Sequence, residues 1–290
     1  LNGVLNIYKE KGMTSYQVVA SVKRIAGVKK VGHTGTLDPE AEGVLPVCIG
    51  RATKLVDYIM DGEKIYRASF QFGKISDTLD AFGQVEETGK PIPEKSAVIE
   101  KLKSFLGTSM QVPPMYSALK VQGKRLYELA RNGEEIERQP REIHVSKLEL
   151  LNYNEETGEG AFLLYCSKGT YVRSIIDDLG RLLGSGAIMT ALIREGTGRF
   201  KLDTSVTLNQ LEQDGIEEHL LEMERVLEGY PVLEIPDNYL KLVVNGVKVK
   251  DQRLISDVME GRYRGLDSRR NFLGVLERNE DSLYLKLNLM

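Results

Sequence analysis

Cysteine and histidine are scarce in this 290-residue chain, which has two of the former and three of the latter. The histidines are scattered, and Cys48 and Cys166 each sit inside an apolar, strand-like run. No zinc-type cluster is therefore expected, and the thiols read as buried and reduced, as in a cytoplasmic protein. No apolar run approaches the length of a membrane span. Residues Leu1 to Leu5 go straight into a strand-like pattern, without the basic and apolar regions of a signal peptide. Neither a G-x-x-x-x-G-K-[ST] loop nor a convincing G-x-G-x-x-G fingerprint occurs, so phosphate-loop and dinucleotide chemistry find no support. Internal repeats and low-complexity tracts are missing as well. What is present is the composition of an ordinary globular protein, 41% hydrophobic and 28% charged, long enough for one large domain and one small one.

The net charge of −3 and pI near 5.8 argue mildly against a nucleic-acid partner, but the charges are unevenly spread. No acid stands between Glu10 and Asp38, where Lys11, Lys23, Arg24, Lys29 and Lys30 lie. A second acid-free window follows Glu100 and ends before Glu128, carrying Lys101, Lys103, Lys120, Lys124 and Arg125. The acids gather elsewhere, as in Glu212 to Glu228. One basic face on an acidic body fits a phosphate-rich partner, although a solvated surface produces the same pattern.

The densest stretch runs from Val31 to Gly50, V-G-H-T-G-T-L-D-P-E-A-E-G-V-L-P-V-C-I-G. It gathers four glycines, two prolines, a histidine and two threonines around Asp38. Pro39 holds Asp38 extended, and Val44 to Ile49 reads as a buried strand. A carboxylate on a stiff loop entering the core is a common place for chemistry. A structural turn in which Asp38 merely caps gives the same pattern.

Around that loop, Leu1 to Tyr8 reads as a strand, and Thr14 with Gln17 as a capping box opening a helix closed by Gly27. Tyr66, Ala68, Phe70 and Phe72 alternate on one strand face. Asp77 to Gly83 is a polar turn, and Ser96 to Leu106 an amphipathic helix. Two strands follow at 143–151 and 160–166, then a helix ended by Gly184. Arg173 opens that helix, the wrong end for the dipole, so it requires an anionic partner. Glu212 to Leu227 is expected to be a single acidic helix. Asn245-Gly246 between two apolar runs predicts a hairpin in a small β-barrel with a basic edge at Arg262, Arg264, Arg269 and Arg270. Leu283 to Leu289 forms the last strand.

Gly32-His33-Thr34-Gly35-Thr36-Leu37-Asp38-Pro39, followed by Gly43-Val44-Leu45-Pro46, resembles the catalytic motif of the TruB family of tRNA pseudouridine synthases. Lys64-Ile65-Tyr66 matches the family's K-x-Y motif and Asp77 to Gly83 its D-T-x-D-x-x-G run. Residues 111–138, with Lys120, Lys124 and Arg125, match its RNA-gripping thumb. Arg173, Gly186-Ala187, Leu192 and Arg194 continue the match, which runs in order from Val4 to about Arg199. The resemblance implies an α+β chain with the pseudouridine synthase fold, a mixed and largely antiparallel sheet with helices and RNA-binding loops. Catalytic residues 1–230 would precede a PUA-like RNA-binding barrel at 231–290.

The implied reaction isomerises the uridine conventionally numbered 55 in the T-arm loop of tRNA, with no metal, cofactor or group donor. The resemblance makes Asp38 the essential carboxylate and Arg173 its partner, orienting it and offsetting the cost of burial. It places Tyr66 on the target base, from which the tyrosine could assist removal of the C5 proton. His33 would support or replace the displaced base, and Lys9, Tyr171 and Leu192 are further pocket candidates. Asp38 could attack C1′, add to the pyrimidine ring or remove a ribose proton. The chain starts at the catalytic domain, which favours a stand-alone bacterial-type enzyme over an RNA-guided one, cytoplasmic, monomeric and needing no protein partner. Other functions compatible with the same residues are a tRNA-folding protein whose catalysis is secondary, a synthase for another RNA, and a nucleotide hydrolase using Asp38 as base.

Overall fold

The computed structural model describes residues 1–117, 119–121 and 123–290, and the side chains of Lys120 and Arg125 lie outside that description. Among the described residues nine strands form one sheet. Its continuous path runs through Gly3–Lys9, Glu42–Ile49, Ala187–Thr197, Lys64–Phe72, Glu159–Cys166, Arg141–Tyr153 and Gly107–Gln111. Neighbours are antiparallel except for Glu42–Ile49 beside Ala187–Thr197, which is parallel. This is the mixed, largely antiparallel sheet that the family resemblance implied.

Lys64–Phe72 lies inside the sheet, and its two-residue period works as expected: Tyr66, Ala68, Phe70 and Phe72 are all buried. They share one apolar cluster with Ile175, Ile176 and Leu179 of the helix Val172–Leu182 and with Val98 and Leu102 of the helix Lys95–Lys103. Each such buried side chain stabilises the fold by roughly 1.5–3 kcal/mol. The helix Ser15–Ala26 packs Val18 and Val22 on Leu5, Ile7, Leu45 and Val47. Thr14 and Gln17 form the expected capping box, and Gly27 closes the helix at φ 63°. The parallel contact depends on Gly43, at φ 107°, because a Cβ there would lie 2.3 Å from the Arg194 carbonyl oxygen.

Two expectations fail beyond residue 205. The acidic stretch is three short helices, Leu208–Asp214, Ile216–His219 and Met223–Val226. Gly215 ends the first of these helices at φ 89°, and Leu221 is held extended by backbone pairing with Val4 in both directions at 2.9 Å. Asn245-Gly246 is no hairpin either: it ends the helix Asp237–Val244, with Asn245 as its C-cap. Tyr239 and Val243 recur four residues apart on the buried side, and Asn-Gly serves helix ends as readily as hairpins.

The C-terminal residues form a four-stranded sheet, Val232–Ile235, Gly261–Asp267, Phe272–Asn279 and Ser282–Asn288. Val275 and Leu289 pack into one cluster with Val4, Val44 and Cys48 of the main sheet. The expected basic edge is divided. Arg262 lies over the Tyr58 ring at 5.4 Å and pairs with Glu277, while Arg264 donates to the Tyr230 carbonyl at 3.0 Å. These two arginines serve the junction, leaving Arg269 and Arg270 exposed at a turn.

Candidate active site

The motif loop between Val31–His33 and Glu42–Ile49 is tied down on both sides of Asp38. Ahead of it, the Ser15 hydroxyl donates to the Leu37 carbonyl at 3.1 Å and accepts from the Leu37 amide at 2.9 Å. Behind it, the Pro39 carbonyl accepts from the Gly12 amide at 2.8 Å and the Lys9 ammonium at 3.1 Å. The aspartate is positioned by its neighbours' backbone, which leaves its own carboxylate available.

That carboxylate faces a cleft of about 330 Å³ lined by Asp38, Tyr66, Tyr171, Arg173, Leu192 and Arg194, among others. The Asp38 side chain is 45% exposed and the Arg173 side chain behind it 6%, with Nη2 lying 3.0 Å from Oδ2. Arg173 opens its helix, as expected, and its donors are spread over four partners. Besides Asp38 it reaches the Thr78 carbonyl at 2.9 Å, the Tyr116 carbonyl at 2.8 Å and the Asp80 carboxylate at 3.8 Å. Asp80 is fixed in turn by the Thr78 hydroxyl at 2.6 Å and the Phe82 amide at 3.0 Å. The run Asp77 to Gly83, read from sequence as a turn, thus supplies a second carboxylate to Arg173. A buried guanidinium is tolerated when paired and hydrogen-bonded in this way.

Tyr66 projects from the sheet into the cleft and is 9% exposed. Burial raises the pKa of its hydroxyl, while the positive charge of Arg194 pulls the other way. Tyr171 is anchored to the edge strand, its amide donating to Gln111 Oε1 at 2.8 Å and its carbonyl accepting from Gln111 Nε2 at 3.1 Å. Leu192 is buried opposite Ala68 in the ladder and adds an apolar wall.

Two of the expected pocket residues lie outside the cleft lining. Lys9 is fully buried beneath the loop, holding the carbonyls of Glu10 and Pro39. Burial brings its pKa down to about 8, against the attraction of Asp38, Glu40 and Glu42. His33 accepts from the Gly35 amide through Nδ1 at 3.2 Å, and burial holds its pKa below the ordinary 6.5. A neutral imidazole bracing the motif loop follows. Lys124 is exposed on the two-residue strand Lys124–Arg125, also off the cleft, and the Lys120 and Arg125 side chains are outside the described structure. Asp80, Arg194 and Lys64 were not singled out as site residues from the sequence. The signal for the last two is a cation within a strand pattern that is otherwise buried. Among the described residues, no group of three or more His, Cys, Asp or Glu side chains could hold a metal.

Residues 23–172 match the model for the TruB family pseudouridylate synthase N-terminal domain, and residues 173–229 that for the tRNA pseudouridylate synthase B C-terminal domain. The tRNA pseudouridine synthase B of Clostridium acetobutylicum is 45% identical over 282 residues, covering 97% of both chains. That of Alkaliphilus oremlandii is 40% identical, covering 99% of this chain and 97% of its own. Among solved structures, a chain of a Cbf5-Nop10-Gar1 complex superimposes with a TM-score of 0.74 at 26% identity, over 99% of this chain and 85% of that one. Motif order, fold and these matches agree, and the chain belongs to the TruB family of pseudouridine synthases.

Proposed function

We propose that the protein isomerises uridine to pseudouridine in the T-arm loop of tRNA, at the position conventionally numbered 55, with Asp38 as the reacting carboxylate. The observation that carries this is the Asp38–Arg173 pair, 3.0 Å apart in a cleft that Tyr66 and Leu192 also line. A cleft of this size is at the small end for ligand sites and suits one nucleotide turned out of its stack. The N1–C1′ bond breaks, the uracil turns, and C5 bonds to C1′. C5 loses its hydrogen while N1 gains one, so the reaction needs no external donor or acceptor.

In this account Arg173 keeps the Asp38 carboxylate aimed at the substrate, and Asp80 fixes Arg173. Tyr66 and Leu192 hold the flat, apolar faces of the uracil, which offsets part of the cost of unstacking it. The thumb-like segment at 111–138, with Lys120, Lys124 and Arg125, grips the RNA backbone. Residues 231–290 form a C-terminal RNA-binding domain. Both cysteines are free and buried, which suits a reducing cytoplasm, and the enzyme works alone.

The direct test is product analysis. A T-arm stem-loop RNA is incubated with the protein, digested to nucleosides and separated by chromatography, beside an RNA with cytidine at the target position. Pseudouridine equal to the uridine lost, and none from the cytidine control, is the expected result. Tight binding of the T-arm with no pseudouridine formed would contradict it.

A further inference from the structure

Arg194 is among the largest fully buried side chains in the protein, at 2% exposure, and it lines the cleft. Its partners are carbonyl oxygens rather than a carboxylate: Nε donates to Val44 at 2.7 Å and Nη2 to Gly35 at 3.2 Å. Both acceptors belong to the motif loop and the strand that follows it. A cation held by neutral oxygens alone is costly to bury, so its charge needs an account beyond pinning that loop.

The sheet register supplies one. Arg194 and Tyr66 are direct partners across the antiparallel ladder between Ala187–Thr197 and Lys64–Phe72. Such partners place their Cβ atoms on one face, about 4.5–5.5 Å apart, and both side chains here border the cleft. Gly35 and Gly43, both at positive φ, let the loop and its strand close around the Arg194 side. Lys64, two residues from Tyr66 on the same strand, also lines the cleft, but its ammonium is committed to the carbonyls of Met60 and Gly62 at 2.8 and 2.6 Å. Of Lys64 and Arg194, the arginine is the one opposite the tyrosine.

We propose that Arg194 is a positioning residue for Tyr66, holding the phenol oxygen and stabilising its phenolate as it accepts the C5 proton of the rearranged uracil. This rests on the isomerase reading above. Once C5 has bonded to C1′, C5 still carries its hydrogen and N1 is doubly bonded to C6. The Tyr66 phenolate takes that proton. The C5–H electron pair becomes the C5=C6 bond, the C6=N1 pair moves onto N1, and N1 collects a proton. The proton that Tyr66 released beforehand to water equals the one N1 takes up, so nothing is oxidised and the proton count closes. Burial alone makes the phenolate difficult to form, and Arg194 opposes that effect.

The test uses the full chain and two T-arm RNAs, one with uridine and one with 5-fluorouridine at the target. Fluorine at C5 leaves the carbon–carbon bond formation intact but removes the proton to be abstracted. Arg194→Gln should convert the uridine RNA roughly tenfold or more slowly, with a primary isotope effect on uridine deuterated at C5, while still consuming the fluorinated RNA at the wild-type rate. Arg194→Lys, which retains the charge, should recover part of the loss. Combined with Tyr66→Phe, Arg194→Gln should add nothing further, as expected for residues acting as a unit. Equal losses on both RNAs, losses that add to those of Tyr66→Phe, or a chain that folds with neither replacement would make Arg194 a structural pin and overturn the proposal. Failure of the wild type to isomerise uridine would instead overturn the isomerase reading.

Discussion

The Arg173 guanidinium touches Asp38 at 3.0 Å and Asp80 at 3.8 Å, so a single buried cation joins the motif loop to the turn at 77–83. Its remaining donors fix the carbonyls of Thr78 and Tyr116, the latter in the thumb-like segment. Aim of the reacting carboxylate and order of two surrounding loops therefore depend on one side chain.

Arg173→Met should cost both activity and stability. Asp38 and Asp80 lose their common partner and two carbonyls lose their donor, worth about 1–3 kcal/mol for each buried group left unsatisfied. Isomerisation should fall by roughly 100-fold or more. Urea denaturation and single-turnover kinetics on the T-arm RNA check the two effects separately. Unchanged stability would mean that the carbonyl contacts carry no weight.

Asp80→Asn separates aim from fold. The asparagine oxygen still accepts from the Thr78 hydroxyl and the Phe82 amide, as Asp80 Oδ1 does, so the turn should persist. What disappears is the negative charge on the far side of Arg173. A rate about tenfold lower, with RNA affinity and thermal midpoint within error of wild type, is the expected outcome. A rate equal to wild type would show that Asp38 alone orients the arginine.

Lys9 predicts a pH signature. Its folded pKa, about 8, is below the ordinary 10.5, so between those values the unfolded chain binds more protons than the folded one. The cost of burying the ammonium is complete below pH 8 and is relieved as pH rises to 10.5. Relative to Lys9→Met, wild type should therefore gain stability across that window, on the order of 3 kcal/mol. Denaturation curves of both proteins from pH 7 to 10.5 give the difference directly, and a difference independent of pH would contradict a charged, buried Lys9.

Much of the site could be read from the sequence because its signals are local. Asp38 is announced by glycines and prolines within a few residues, Tyr66 by strand alternation, and Arg173 by a charge at the unfavourable end of a helix. Asp80 and Arg194 escaped because their significance is tertiary. The turn at 77–83 acquires its partner only when it folds back on the start of the Arg173 helix, and Arg194 meets Tyr66 only through pairing of strands more than a hundred residues apart. Lys9 is a pocket candidate through the family resemblance alone, and its burial beneath Pro39 is again a tertiary feature. The two fold differences come from ambiguous local signals: Asn-Gly suits a hairpin or a helix end, and the apolar period of residues 212–227 continues across Gly215, whose positive φ ends the first helix.

The central claim is that Asp38 performs the isomerisation, and release of the C5 hydrogen tests it most directly. A T-arm stem-loop carrying tritium at uridine C5 is incubated with wild type and with Asp38→Asn, and RNA binding is measured in parallel. Release of tritium to water by wild type, none by the variant, and equal binding by both is the predicted result. Release by both would show that Asp38 is not the reacting group, and release by neither despite tight binding would show that the protein does not carry out this reaction on this RNA.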